Sequence, residues 1–243
     1  MDVVTGPPSE LGTGLPSGSR LHPELLSGYG LVEAPIDRVA ATFGDHDRAD
    51  QSKVRVRRHT TDPADVVEFL RLRTWPTTRL ALIGLGEWTA VLTNRRGGSD
   101  FADHWFWAGR SLGARTIRVV DQGARWASGK PRRRLAFAAR IVEIHDADGS
   151  TVRSIAAADD GGRWVFETFG DPLPIEASFD YTDPNRRRRF TSENLRQLLT
   201  SLGPGPLTDH RFPNARSFVL LDERYNLDSW QKRIEEAATT LEL

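Results

Sequence analysis

Residues 132–174, RRRLAFAARIVEIHDADGSTVRSIAAADDGGRWVFETFGDPLP, decide the fold class, because they hold the longest run of unbroken strand signals in the chain. Two polar clusters, Asp146-Ala-Asp-Gly149 and Asp159-Asp-Gly-Gly162, divide the segment into three β-prone runs at 135–145, 151–158 and 163–169. Asp and Gly in tandem supply the positive φ of tight hairpins, so the spacing predicts a three-strand antiparallel meander. In its third strand Trp164, Phe166 and Thr168 alternate with Arg163, Val165, Glu167 and Phe169, so the strand is heavily aromatic and reads as a core platform.

The 243-residue chain as a whole is bounded by composition. Its length and its 38% hydrophobic content suit one large or two small globular domains. No apolar run is long enough to span a bilayer, and MDVVTGPPSELG lacks the regions of a signal peptide, so a cytoplasmic protein is expected. With no cysteine, disulfides, zinc-thiolate sites, iron–sulfur clusters and a Cys nucleophile are excluded. The net charge of zero argues against a dedicated nucleic-acid or anionic-membrane binder. Only Lys53, Lys130 and Lys232 are lysines; the arginine bias fits a GC-rich, bacterial coding genome and favours forked ion pairs.

Outward from the meander, Gly, Pro and Ser fill residues 1–20, which are expected to be a disordered tail before a single α+β domain at 21–243, with sub-lobes 28–122 and 130–243. Pro35 opens a short helix carrying Ile36, Val39, Ala40 and Phe43 on one face. From residue 53 to 121 the signals run strand 54–60, helix after Asp62-Pro63, strands 79–85 and 88–94, helix 101–112 and strand 116–121. That order is βαββαβ, the ferredoxin-like pattern, followed by the meander, which extends the same sheet or packs a second one beside it. Thr191 caps a helix with Leu195, Leu198, Leu199 and Leu202 at i, i+3, i+4 and i+7, stopped by Gly203-Pro204-Gly205-Pro206. A strand at 217–221 and a last helix from Asp228 end the chain.

No recognisable catalytic set is present. Gly84-Leu-Gly86-Glu-Trp-Thr89 lacks the third glycine of a dinucleotide loop and is followed by a strand, so it reads as a hairpin turn. No nucleophile elbow, Walker loop or His-Glu-x-x-His occurs, and none of the six histidines lies at i, i+4 from another on a helix. No cofactor and no metal site is expected. Asp159 and Asp160 are first of all a turn signal, with acid–base or ligand duty the lesser reading. In the helix DFADHWFWAGRSLG, Phe101, Trp105, Ala108 and Leu112 form the core stripe, leaving Phe106 and Trp107 on opposite flanks. Either the meander or the C-terminal segment covers them, or they anchor a partner with His104 beside them. Two basic clusters, Lys130 with Arg132, Arg133 and Arg134, and Arg186, Arg187, Arg188 and Arg189, suit phosphate or an acidic protein surface. The second precedes the Thr191 helix, where positive charge opposes the helix dipole, a small mismatch that points to a partner or an internal carboxylate.

Three stretches, Trp88-Thr-Ala-Val-Leu-Thr-Asn94, Leu112-Gly-Ala-Arg-Thr-Ile-Arg-Val119, and Asp160-Gly-Gly-Arg-Trp-Val-Phe-Glu167 with Gly170-Asp-Pro-Leu-Pro174, resemble uncharacterised bacterial proteins, some of them similar to single-domain immunity proteins of polymorphic or contact-dependent toxin systems. The resemblance spans residues 28–203 and implies occlusion of a cognate protein toxin. The chain is therefore expected to be a non-catalytic protein-binding module. Contacts are expected from His104, Phe106, Trp107, Asp159, Asp160, Arg163, Arg186, Arg187, Arg188 and Arg189, with no membrane partner and nucleic acid ranked last. The alternative is an enzyme or small-ligand binder whose aromatic-lined cleft joins Asp160, His104 or Arg163 between the two sheet regions.

Overall fold

The computed structural model describes residues 27–44, 47–48, 52–62, 65–66, 69–70, 77–93, 102–126, 134–207 and 218–225. The tail at 1–20 and the helix expected from Asp228 lie outside them. In chain order the elements are strand β1 (Gly28–Val32), helix α1 (Ile36–Gly44), strands β2 (Asp47–Arg48), β3 (Ser52–Thr60), β4 (Thr77–Leu85) and β5 (Trp88–Thr93), helix α2 (Ala102–Leu112), and strand β6 (Thr116–Gln122). Strands β7 (Arg125–Trp126), β8 (Arg134–Ala136), β9 (Ala139–His145), β10 (Thr151–Asp160) and β11 (Arg163–Phe169) follow. A 3-10 turn (Pro174–Ser178), helices α3 (Arg186–Arg189) and α4 (Ser192–Ser201) and strand β12 (Phe218–Tyr225) come last.

Ten strands form one antiparallel sheet in the order β11-β10-β9-β6-β1-β5-β4-β12-β3-β2, and β7 pairs with β8 separately. The fold is mixed α+β, dominated by this sheet. The predicted meander forms at its end, with Asp160 and Arg163 flanking a two-residue turn in which Gly161 and Gly162 take φ of 71° and 126°. It extends the sheet and does not stack on it, because β9 pairs with β6 from Thr116–His145 to Gln122–Ala139. The two expected sub-lobes thus share one sheet.

The four strands and the second helix of the expected βαββαβ order are present, and the helix expected after Asp62-Pro63 lies largely outside the described residues; the strands do not pair as a closed set. Strand β3 is separated from β4 by β12, and β1 lies between β5 and β6. Residues 28–32, GYGLV, carry little strand signal of their own; Gly30 pairs with Val91 on one side and Arg118 on the other, so the neighbours impose the extended backbone.

Both faces of the sheet are covered near its centre, which explains why β5 is buried at every position, Thr89 and Thr93 included. On one face Leu80, Leu82, Val91, Val219 and Leu221 meet Val39, Ala40 and Phe43 of α1 and Trp105 and Ala108 of α2. On the other, Leu31, Ile83, Ile117, Val119, Val142 and Ile155 meet Phe190, Leu195, Leu198 and Leu199. Helix α4 starts as the sequence predicts. Thr191 Oγ1 accepts from the Asn194 amide at 3.1 Å, and Asn194 Oδ1 accepts from the Thr191 amide at 2.9 Å. Its ten residues are too few to hold a helix alone, so the burial of three leucines, worth about 1.5–3 kcal/mol each, keeps it in place. No helix among the described residues is long and apolar enough to cross a membrane.

Candidate functional site

At its β9–β11 end the sheet brings charged side chains onto a face that is otherwise apolar. Alternation puts Asp121 on the same face as Ile117 and Val119, and Arg140 on the same face as Val142 and Ile144. The register sets Asp121 opposite Arg140, Arg140 opposite Ala157, and Asp159 opposite Trp164. Arg140 Nε donates to Ser192 Oγ at 3.0 Å, and Ser192 Oγ donates to Asp121 Oδ1 at 2.8 Å. Burial pushes the Asp121 carboxyl up, against the opposing pull of Ser192, Arg140 and Arg196. Burial also lowers Arg140, with the nearby Arg187 charge acting in the same direction and Asp121 against it. This network ties β6 and β9 to the first turn of α4, and Ser192 has a carboxylate and a guanidinium as partners, not the imidazole base that would activate it as a nucleophile.

Trp164 is the centre of the cluster. The guanidinium carbons of Arg140 and Arg187 lie 5.6 and 5.7 Å from its ring centroid. Beside it, Arg134 Nη1 meets Asp159 Oδ2 at 3.0 Å, and its guanidinium also lies over the rings of Trp126 and Phe137. Asp159 Oδ1 accepts from the Gly162 amide at 2.8 Å, which closes the hairpin. Asp159 therefore has an ion-pair and a turn role, while Asp160 and Arg163 are exposed at the tip.

Helix α3 is one turn of four arginines laid against β11. Asn185 Oδ1 accepts from the Arg187 amide at 3.1 Å, Arg189 Nε donates to the Asp183 carbonyl at 2.8 Å, and the Arg189 guanidinium sits 5.7 Å from the Phe166 ring. Phe190 beneath it is fully buried. The turn is thus fixed at both ends, and it leaves Arg186, Arg187 and Arg188 exposed, with no ion pair to any of them among the described residues. The internal partner that the sequence mismatch suggested is, for Arg187 and Arg189, an aromatic ring.

The expected aromatic anchors lie elsewhere. His104 is 4% exposed and its ring centroid is 6.4 Å from that of Phe43, so its side chain belongs to the interior. Trp107 packs on Phe43 at 5.9 Å, and Phe106 on His145 at 5.0 Å. Coverage therefore comes from α1 for Trp107 and from the first meander strand for Phe106; both rings are half-buried. His104 and Phe106 are not brought together with Asp160 and Arg163. Phe106 touches the His145 end of β9, whereas the hairpin tip lies beyond Ala139 at the other end, about 20 Å of strand away.

Asp121, Arg140 and Ser192 escaped the sequence reading. The signal available was charge at inward-facing strand positions, since Asp121 follows Val119 by two and Arg140 precedes Val142 by two. Comparison with known protein families, with curated proteins and with solved structures returns no match for this chain.

Proposed function

We propose that the protein is a non-catalytic protein-binding module that grips an acidic surface of its partner with the arginine turn of α3. The observation that carries this reading is the exposure of Arg186, Arg187 and Arg188 on a backbone held rigid by Asn185, Asp183 and Phe166. Arginines presented this way lose little conformational freedom on forming forked bonds to carboxylates. Arg163, next to Trp164, extends the basic surface at the same end of β11. A protein is favoured over a nucleic acid because Asp180, which feels the charge of Arg189, and Asp183 precede the turn and would repel a continuous phosphate backbone.

The sequence resemblance supports a more specific identity, an immunity protein that covers the active site of a cognate toxin in the cytoplasm. We also read β1-α1-β4-β5-α2-β6 as a ferredoxin-like plan with Gly28–Val32 as its first strand. Its supports are the neighbour order β6-β1-β5-β4 and the packing of α1 and α2 on one face.

The test is capture of the tagged full chain from its native cells, with mass spectrometry of what is retained, alongside a variant carrying Arg186→Glu, Arg187→Glu and Arg188→Glu. We expect a stoichiometric protein partner that the triple variant binds at least about 100-fold more weakly, a loss of ~2.8 kcal/mol, with an unchanged melting temperature. Equal retention by the variant, or recovery of nucleic acid or a small molecule in place of a protein, would refute the reading.

A further inference from the structure

We propose that two copies of this chain pair edge to edge along β11, antiparallel, about a two-fold axis at Val165, so that Arg163 of each copy stands opposite Glu167 of its partner. Natural sheets blunt their edges with short strands, prolines, bulges or charge. One edge of this sheet follows the rule, since it ends in the two-residue β2. The other does not. Strand β11 runs seven residues without proline, pairs with β10 in unbroken register from Asp160–Arg163 to Ser154–Phe169, and has no second strand beside it among the described residues.

The hairpin turn fixes which backbone groups face the open edge. A two-residue turn is closed by its flanking residues as a hydrogen-bonded pair, here Asp160 and Arg163. Pairs alternate, so Arg163, Val165, Glu167 and Phe169 direct their amides and carbonyls to β10, and those of Trp164, Phe166 and Thr168 lie on the free side. An isologous antiparallel edge must therefore match free-side residues with free-side residues, which puts the axis on a residue and not between two. An axis at Trp164 would set Arg163 against Val165, and one at Phe166 would set Glu167 against Val165. Only an axis at Val165 matches Arg163 with Glu167, and symmetry makes that match twice.

In that register the two charge pairs and the Val165 self-pair occupy closely spaced, non-hydrogen-bonded positions on one face, where side chains interact most. On the other face Trp164 meets its partner's Phe166. Phe169, 60% exposed, lies beyond Glu167 on the face of the charge pairs. The opposing term is repulsion between the α3 turns, which lie over Trp164 and Phe166 in each copy. A seven-residue edge also buries less than the roughly 1,200–2,000 Å² of a typical stable interface, so the dimer is reversible.

The pairing stands independently of the partner reading, and its test needs no partner. Sedimentation velocity of the full chain over a wide concentration range should show a monomer–dimer equilibrium. Arg163→Glu alone and Glu167→Arg alone should each weaken it at least tenfold while leaving the far-ultraviolet circular dichroism unchanged, because both residues are exposed. A one-to-one mixture of the two variants should recover association, since every pair across the axis is then of opposite sign, and the doubly reversed chain should recover it alone. A wild-type chain that stays monomeric, a dimer indifferent to either reversal, or a mixture that fails to associate would each overturn the proposal.

Discussion

Replacing Arg153 by Met is expected to lower the free energy of unfolding by about 3–5 kcal/mol at neutral pH, measured by urea titration. The side chains of Arg153 and Glu176 are 3% and 1% exposed. Arg153 Nε donates to Glu176 Oε1 at 2.9 Å, its Nη2 donates to Glu176 Oε2, and its Nη1 donates to the carbonyls of Phe169 at 3.0 Å and Gly170 at 2.7 Å. Glu176 also accepts from the Leu173 amide at 2.9 Å and the Tyr181 hydroxyl at 2.8 Å. One ion pair thus joins β10, the end of β11 and the 3-10 turn that leads to α3. Removing Arg153 alone leaves a buried carboxylate with two neutral donors, which is the costly outcome; replacing both partners by apolar residues should recover most of the loss.

The pH dependence has a definite sign. Burial by itself would raise Glu176, but Arg153, the Leu173 amide and the Tyr181 hydroxyl outweigh it and hold the carboxyl below its ordinary range. A depressed carboxylate stabilises the fold fully above the unfolded value, and this contribution disappears as pH falls through the lower folded value. In the Arg153→Met chain the largest of the contributions that oppose burial is gone, and Glu176 takes up its proton more readily. The stability curves of the two proteins should therefore converge in acid. A constant gap across pH would show that Arg153 acts through packing and not through charge.

The second large effect concerns Gly30. A Cβ there would fall 2.0 Å from Trp105 Cγ and 2.2 Å from Cδ1, because the indole lies directly on the β1 backbone. The strand cannot retreat, since it is paired on both sides, and Trp105 is 2% exposed beneath α2. Gly30→Ala should cost at least about 1–3 kcal/mol by overpacking, and Trp105→Ala about 3–5 kcal/mol by leaving a cavity. The two should be strongly non-additive. With the indole gone, alanine at position 30 meets open space and regains the roughly 0.5–1 kcal/mol that glycine costs in a strand. A double-mutant cycle that came out additive would mean the helix moves aside to accept the methyl group.

These two sites also show where sequence reading reached its limit. Local chemistry was legible: Asp159-Asp-Gly-Gly162 announced a hairpin, and Thr191, the leucine spacing and Gly203-Pro204 marked both ends of α4. Gly28–Val32 was not, because its strand character comes from β5, β6 and the indole resting on Gly30, and two of its five residues are glycine. The candidate site divides in the same way. A run of four arginines stands out in a sequence, whereas Asp121, Arg140 and Ser192 meet only through cross-strand register and a helix 71 residues away from Asp121. Helical periodicity alone leaves Trp107 outside the core stripe, with His104 beside it. They are covered because α2 packs against α1 as well as the sheet, which gives it a second buried side that no single-helix period reveals.

Strand β12 sits between β3 and β4, with Phe218 paired to Thr60 on one side and Ile83 on the other. During synthesis β4 is complete 133 positions before Phe218 is reached. At about 5–20 residues per second, that interval lasts roughly 7–27 s. Throughout it a strand edge carrying Leu80, Leu82 and Ile83 waits for its neighbour, open to pairing with another nascent chain. The order of strands in the gene, more than the stability of the finished fold, therefore sets the moment at which the protein is most exposed to aggregation.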